Sequence, residues 1–544
     1  MIKIWQEADN TVKWENIEGA KSYTLFDNNS NVNKIVYKTD DKLSYKPTVV
    51  GKHKIKIVCE KSNGELIEGE IDCREVNMSF AYHSAMRSDY CFEENQLGFT
   101  GLNVDDLEYD GRRYEAFYNA EKGWSAIEED KTDFSKEPYL SEFLLKYKEA
   151  GLNVLNPSSF GVIYSEDDWE TSKLKLLMDT AWYKFGIKTM VWDDTIFTIP
   201  RLYEWTEEQV FEFIVSKSYD NKKALYNYMR HPGFYGINVL DEPLSSKEKD
   251  ANVINMIERT GYCVKAVSKI AQSIGVECKF ACALLKYPYI FKGEDGYREY
   301  LEDWVKYSDA DFISFDVYMP STNCNPECGS IVTLEMFETT YALIREVADK
   351  YSLRIDAAVT AFDNSNGTGF TQVNEIDVAQ NVYYAFMYGA SSMLYFVACP
   401  FVDDGAIIRT IFGYDGKPTE IYDWVKAVNE RLTILRSKTE NYKFKNTNVI
   451  VGESIQFVKA LWSDDNGKFA HFYMNMNTSA DRSPVLVFVY DNERYIYVKR
   501  DGTIEEKVSQ GETALWPTSG ELVIVFNENE KIWDRCEMTP YKII

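Results

Sequence analysis

Gly233-Phe-Tyr-Gly-Ile-Asn-Val-Leu-Asp-Glu-Pro243 is an apolar, β-prone run that stops abruptly at two carboxylates and a proline. Its length suits a strand buried on both faces, and the proline, which cannot donate to a ladder, marks the strand's end. A strand of this kind in the middle of a series of similar ones brings Glu242 to the carboxyl end of the sheet. That end is where β/α barrels gather their reactive side chains.

The series is there. Across residues 76–440, apolar runs alternate with amphipathic helical stretches, which predicts parallel strands joined by helical crossovers. The runs are Met78 to His83, Asn153 to Asn156, Lys188 to Trp192, Gly233 to Leu240, Glu277 to Leu285, Phe312 to Tyr318, Arg354 to Ala361 and Ser392 to Ala398. Helices are expected at Tyr139 to Ala150, Asn252 to Ser273, Leu334 to Tyr351, Asn374 to Tyr388 and Glu420 to Ser437. Eight such units predict an α/β fold of the TIM (β/α)8 barrel type. The first gap is the exception, because Ser84 to Glu137 is rich in Asp, Glu, Tyr and Gly with weak helical periodicity. It is expected to be a long loop over the active face, a lid or subsite wall.

Residues 1–75 alternate apolar and polar with turn signals, as in Ser22-Tyr-Thr-Leu-Phe and His53-Lys-Ile-Lys-Ile-Val-Cys, and predict a small β-sandwich. Residues 441–544 return to short strands, such as Phe469-Ala-His-Phe-Tyr-Met and Leu522-Val-Ile-Val-Phe, and predict a second one. The chain of 544 residues is too long for one core, so a barrel flanked by two all-β domains accounts for its length.

A formal charge of −26 disfavours wrapping a nucleic-acid backbone or an anionic membrane. Aromatic residues make up 15% of the chain, and with the acidity they suit a carbohydrate partner, whose C–H faces pack on rings and whose hydroxyls bond carboxylates and amides. The amino terminus has no apolar run of signal-peptide length and no segment matches a membrane span, so a cytoplasmic location is expected. The ten cysteines are scattered and predict reduced, buried thiols. Cys278 with Cys282 and Cys324 with Cys328 have zinc-like spacing, but no histidine is near either pair, so neither metal nor cofactor is expected.

The strand ends name the candidate site. Glu242 is expected to protonate a leaving oxygen while a second, ionised carboxylate faces the developing positive charge, the division of labour that glycosidic cleavage needs. If Glu242 faces the lumen, alternation puts Leu240 and Asn238 on its face and turns Asp241 toward the helices. His83, Asn156, Asp193, Asp194, Asp241, Tyr287 and Tyr318 fall at the same rim and are candidates for binding substrate, with Trp192 as a stacking platform. No phosphate loop, nucleophile elbow or HExxH pattern is present.

Ile237-Asn-Val-Leu-Asp-Glu-Pro, Phe315-Asp-Val-Tyr-Met-Pro and the stretch from Asn374 to Phe396 resemble the large clan of (β/α)8 glycoside hydrolases with the acid/base Glu after strand four. Val12-Lys-Trp-Glu-Asn-Ile-Glu-Gly-Ala-Lys-Ser-Tyr resembles the start of a fibronectin type III module. The first resemblance implies hydrolysis of O-glycosidic bonds in an oligo- or polysaccharide, with Glu242 as acid. It also implies a nucleophilic Glu at strand seven, where this chain reads Val359-Thr-Ala-Phe-Asp363-Asn364. Asp363 is the positional match, Asp316 a rival and Glu375 a distant third. Two other classes remain open: a glycan-binding protein on a degenerate barrel, and a divalent-metal-dependent hydrolase using Asp side chains as oxygen ligands.

Overall fold

The computed structural model describes residues 2–6, 12–27, 33–37, 43–45, 54–72, 81–86, 102–109, 112–119, 123–128, 139–157, 169, 172–193, 196–197, 199–200, 204–218, 224–244, 255–287, 293–318, 334–363, 373–396, 398, 402–403, 406–407, 409–413, 417–452, 455–476, 485–528 and 536–538. The chain divides into two compact units, Met1–Ala81 and Tyr82–Ile544.

In the first unit, β1 (Ile4–Gln6), β2 (Val12–Trp14) and β5 (Ser44–Tyr45) form one antiparallel sheet in the order β1-β2-β5. β3 (Ala20–Asp27), β4 (Asn33–Tyr37), β6 (Lys54–Lys61) and β7 (Leu66–Asp72) form another in the order β4-β3-β6-β7. The period-2 pattern of β6 buries Ile55, Ile57 and Cys59, which share a core with Val12, Trp14, Tyr23 and Leu25. The buried Tyr23 ring keeps its hydroxyl satisfied by accepting the Ile17 N–H at 2.7 Å.

The second unit is built on an eight-stranded sheet of α/β barrel type. Its strands are β8 (Ala81–Met86), β12 (Val154–Pro157), β13 (Lys188–Trp192), β14 (Phe234–Asp241), β15 (Lys279–Ala283), β16 (Phe312–Asp316), β17 (Arg354–Thr360) and β19 (Ser392–Phe396). They lie in the order β15-β14-β13-β12-β8-β19-β17-β16. Each of the eight apolar runs read from the sequence overlaps one of these strands. The two ends of the row also meet, through a parallel bridge of Leu284 to Phe315, with the Leu284 N–H bonding the Ser314 carbonyl at 2.9 Å. Strands covered on both faces must be apolar throughout, and Ile237, Val239 and Leu240 of β14 are fully buried. Gly236 is needed for close approach, since a Cβ there would lie 2.0 Å from the Lys279 carbonyl oxygen.

The segment after β8 departs from the expected loop. It holds a three-stranded antiparallel meander, β9 (Leu102–Tyr109), β10 (Arg112–Asn119) and β11 (Gly123–Glu128). The short β18 (Phe362–Asp363) pairs with β22 (Arg409–Thr410), and β20 (Val402–Asp403) pairs with β21 (Ala406–Ile407). β11 packs against β20, so the insertion meets the segment that follows the eighth barrel strand.

Beyond the helix Glu420–Thr439, the described residues hold nine further strands. β23 (Lys443–Gly452), β24 (Ile455–Ser463), β25 (Phe469–Asn475), β30 (Leu522–Asn527), β27 (Arg494–Val498) and β28 (Ile504–Val508) form a six-stranded sheet in that order. β29 (Thr513–Leu515), β26 (Val485–Val489) and β31 (Cys536–Met538) form a three-stranded one. Both sheets feed one core, with Phe457, Tyr473 and Val523 from the first and Val487 and Val489 from the second. The larger sheet is welded to the helix Glu375–Met387: Gln380 Nε2 donates to the Asn475 carbonyl at 2.9 Å and Trp462 Nε1 to the Met387 carbonyl at 3.0 Å. That helix is buried from Asp377 to Met387 because it is covered on both sides.

Candidate active site at the carboxyl ends of strands four to six

The fourth barrel strand does not keep strict alternation. Asn238 pairs with Ala281, but the next partners are Leu240 with Cys282 and Asp241 with Ala283, so Val239 is an extra residue. Partners in a parallel ladder share a face. Leu240 therefore lies on the face opposite Asn238, and Asp241 takes the face that alternation would have given to Leu240. This corrects the expectation that Asp241 turns toward the helices. Glu242 follows with φ at +47°, a left-handed conformation that costs a non-glycine residue about 1 kcal/mol or more. Its N–H is fixed to the Ala283 carbonyl at 2.8 Å.

This kink aims Glu242 across the end of β15 toward Asp316, the last residue of β16. Asp316 is buried, and its carboxyl is held protonated well above the usual carboxylate range, first by loss of hydration and then by the negative charge of Glu242. Asp241 adds to this, Glu242 also acts through hydrogen bonding, and the Lys286 ammonium opposes it. Lys286 Nζ lies 3.8 Å from Glu242 Oε1. Two carboxyls and one amine thus converge from strands four, five and six, and burial separates the roles. Glu242 is half-exposed beside a cation, while Asp316 is sealed.

On β12, β14, β16 and β17, the Oδ1 atoms of Asn156, Asn238 and Asp316 and the Oγ1 of Thr360 are buried without a hydrogen-bond partner. Such orphaned atoms on several barrel strands are what a polar ligand would satisfy. At the ends of β16, β17 and β19, Phe362 packs edge-on against both Tyr318 and Phe396, which are half-buried and tilted at 32° to each other, with ring centroids 5.5 to 5.8 Å apart. Tyr287 sits half-buried against Tyr297 at 5.9 Å, and Trp192 packs on Phe197 at 4.4 Å.

Other candidates are engaged elsewhere. Asp193 is buried and does not form a binding edge: it accepts the Tyr228 hydroxyl at 2.8 Å and the Ile196 N–H at 3.3 Å. Asp363 is buried under Arg409, whose Nε and Nη2 reach one oxygen at 3.1 and 2.5 Å while Nη1 reaches Glu420 at 2.6 Å. Glu375 opens the helix Glu375–Met387, whose capping box is made by Asn374 and Asp377, and meets Arg431 at 3.4 Å. His83 lies in β8, but its side chain is outside the described residues, as is the whole of Asp194. Arg409, Lys286 and the buried Tyr300 carry no motif; only their positions just beyond barrel strands, or on the helix between two of them, could have marked them.

The Asp363–Arg409 clasp has a measurable consequence. Breaking a buried pair leaves a charge without compensation, but Arg409 is 38% exposed, so Arg409→Met is expected to cost about 2 kcal/mol, below the fully buried figure. Urea unfolding checks it, and an unchanged midpoint would show that Asp363 is satisfied without the clasp.

Among the described residues, no group of three or more His, Cys, Asp or Glu side chains could hold a metal ion. Cys278 and Cys282 are free thiols with their acidity suppressed by burial, and Cys324 and Cys328 lie outside the described residues. No described helix is long and apolar enough to cross a membrane.

No family model matches the chain, and no curated protein matches its sequence. Solved structures are similar at low identity. One is described as a family 39 glycoside hydrolase from Bacteroides cellulosilyticus WH2, 12% identical, with a TM-score of 0.43 over 94% of this chain and 96% of that one. Another is a family 5 glycoside hydrolase from Bacteroides vulgatus, 12% identical, with a TM-score of 0.45 over 74% and 89%. A third is an alpha-L-arabinofuranosidase from Thermotoga maritima, 9% identical, with a TM-score of 0.40 over 83% and 96%.

Proposed function

We propose that this protein is a glycoside hydrolase whose working pair is Glu242 and Asp316. In this reading the eight β/α units close into a (β/α)8 barrel, residues 1–75 form a fibronectin type III-like module and residues 441–544 a trailing β-sandwich. The strand orders β1-β2-β5 and β4-β3-β6-β7 over one core support the module. The carrying observation is the split between two adjacent carboxyls at one rim, one raised by burial and by its neighbour, the other beside Lys286. A carboxyl that burial keeps protonated is suited to act as the acid, and its partly exposed neighbour is left the other role. Asp316 carries the proton to the leaving oxygen, and the half-exposed Glu242 beside Lys286 serves as nucleophile or base, exchanging the role expected for it from the sequence. The reaction needs no cofactor, and the substrate is a carbohydrate.

A second reading, a glycan-binding protein on a degenerate barrel, is favoured by one feature. Asp363, the positional match after the seventh barrel strand, is tied up by Arg409.

A panel of aryl glycosides, assayed across pH with and without a chelator, tests the proposal. Turnover should need the Asp316 proton, so it should fall as pH rises through that group's raised pKa. Saturable sugar binding without turnover at any pH would favour the second reading. Chelator-sensitive turnover would point to metal-dependent hydrolysis.

A further inference from the structure

Tyr300 stands outside the barrel lumen, on the helix Gly293–Ser308 that joins β15 to β16, and is fully buried. Its hydroxyl donates to the Pro243 carbonyl at 3.0 Å and accepts the Leu285 N–H at 3.2 Å. Pro243 follows Glu242 and Leu285 precedes Lys286. One phenol oxygen thus joins the peptide after the fourth strand's carboxylate to the peptide before the fifth strand's amine. Neither contact belongs to the strand ladder.

Resting on the carboxyl pair read above, we propose that Tyr300 is a positioning residue that fixes the Glu242 and Lys286 backbones to one another and so holds Glu242 against Asp316. The Glu242 side chain is hydrogen-bonded to Asp316 and meets Lys286 at 3.8 Å, but its backbone has little local support: the conformation is left-handed and unfavourable, and its N–H is held at one point by Ala283. A strained conformation persists only where the surroundings over-determine it. Tyr300 is placed to supply that constraint from the rigid helix, and its ring is braced by Tyr297, stacked at 6.1 Å. Without the hydroxyl, the turn after β14 can relax toward an ordinary conformation and carry Glu242 out toward solvent.

The consequence is electrostatic and can be read without substrate. Glu242 supports the proton on Asp316, so its withdrawal should lower the proton affinity of that carboxyl. In Tyr300→Phe, which keeps the ring and removes one oxygen, the carbon-13 carboxyl titration of Asp316 is expected to shift down by about tenfold in proton affinity. Hydrogen exchange at the Leu285 amide should quicken while the amides of β15 stay protected. Glu242→Gln should produce a downward shift of its own, and the double variant should shift no further than Glu242→Gln alone, because the strut acts through that carboxylate. If Glu242→Gln lowers the titration and Tyr300→Phe leaves it unmoved, the strut is overturned and the pair stands. If neither moves it, the pair itself is wrong. A Tyr300→Phe chain that fails to fold overturns the proposal too, since the hydroxyl would then be holding the structure together and not placing a side chain.

Discussion

Glu242→Gln is expected to lower glycoside turnover by about 10³-fold while leaving the fold intact, the middle of the range for a positioned acid, base or nucleophile. The change removes one negative charge and little else. Glutamine has the same length and can adopt the same left-handed backbone. The side chain is 41% exposed, and its ion pair with Lys286 is long, so the stability lost with the charge is below about 1 kcal/mol. Catalysis is affected far more, because the variant can neither attack nor accept a proton. It also takes away the charge that raises Asp316, so the alkaline limb of whatever activity remains should move to lower pH. The measurements are steady-state rates across pH and a thermal melt. Near-normal rates would remove Glu242 from the mechanism, whereas a collapsed melting temperature would make it a structural residue.

Glu242 was legible because its signal is local: an apolar run, then acid, then proline. The eight barrel strands were legible for the same reason, and Lys188–Trp192 matches the expected run at both ends. A strand buried on both faces writes its own boundaries into the sequence. The helix Leu334–Tyr351 matches too, as one apolar stripe facing the sheet would predict.

What was missed depends on partners distant in sequence. The extra residue at Val239 is invisible in Asn-Val-Leu-Asp, because a bulge is defined against the neighbouring strand. Asp363 reads as a rim carboxylate until Arg409, 46 residues later, is folded onto it. Asp193 is taken up by Tyr228, 35 residues away. The segment 84–137 read as a loop because the sequence showed only a lack of helical period, and an antiparallel meander with mixed faces is equally aperiodic at 3.6 residues. For Asp363 and Asp193 the local sequence shows a carboxylate near a strand end, and only the distant partner decides how it is used. The Glu242 and Asp316 pair is the reverse case: the sequence offers Asp316 only as a rival to Asp363 for the second carboxylate, and the fold sets it beside Glu242.

That meeting has a thermodynamic signature. Asp316→Asn is expected to lower turnover by about 10²- to 10⁴-fold, as loss of a general acid does, and at the same time to raise the melting temperature at neutral pH. In the unfolded chain Asp316 releases its proton near the ordinary carboxylate pKa. In the folded protein burial and Glu242 make it hold that proton to higher pH. The folded state therefore binds the extra proton, and stability falls as pH rises from the unfolded pKa through the folded one. Asparagine has the same shape and nothing to ionise, so this loss disappears, and the buried Oδ1 position, which has no partner in the native protein, asks for no new contact. Melting curves of both proteins between acid and neutral pH should converge at the acid end and separate as pH rises, with the variant above. A variant that is inactive but no more stable at neutral pH would mean that the carboxyl is ionised and compensated in the folded protein, and the acid role assigned to Asp316 would fall.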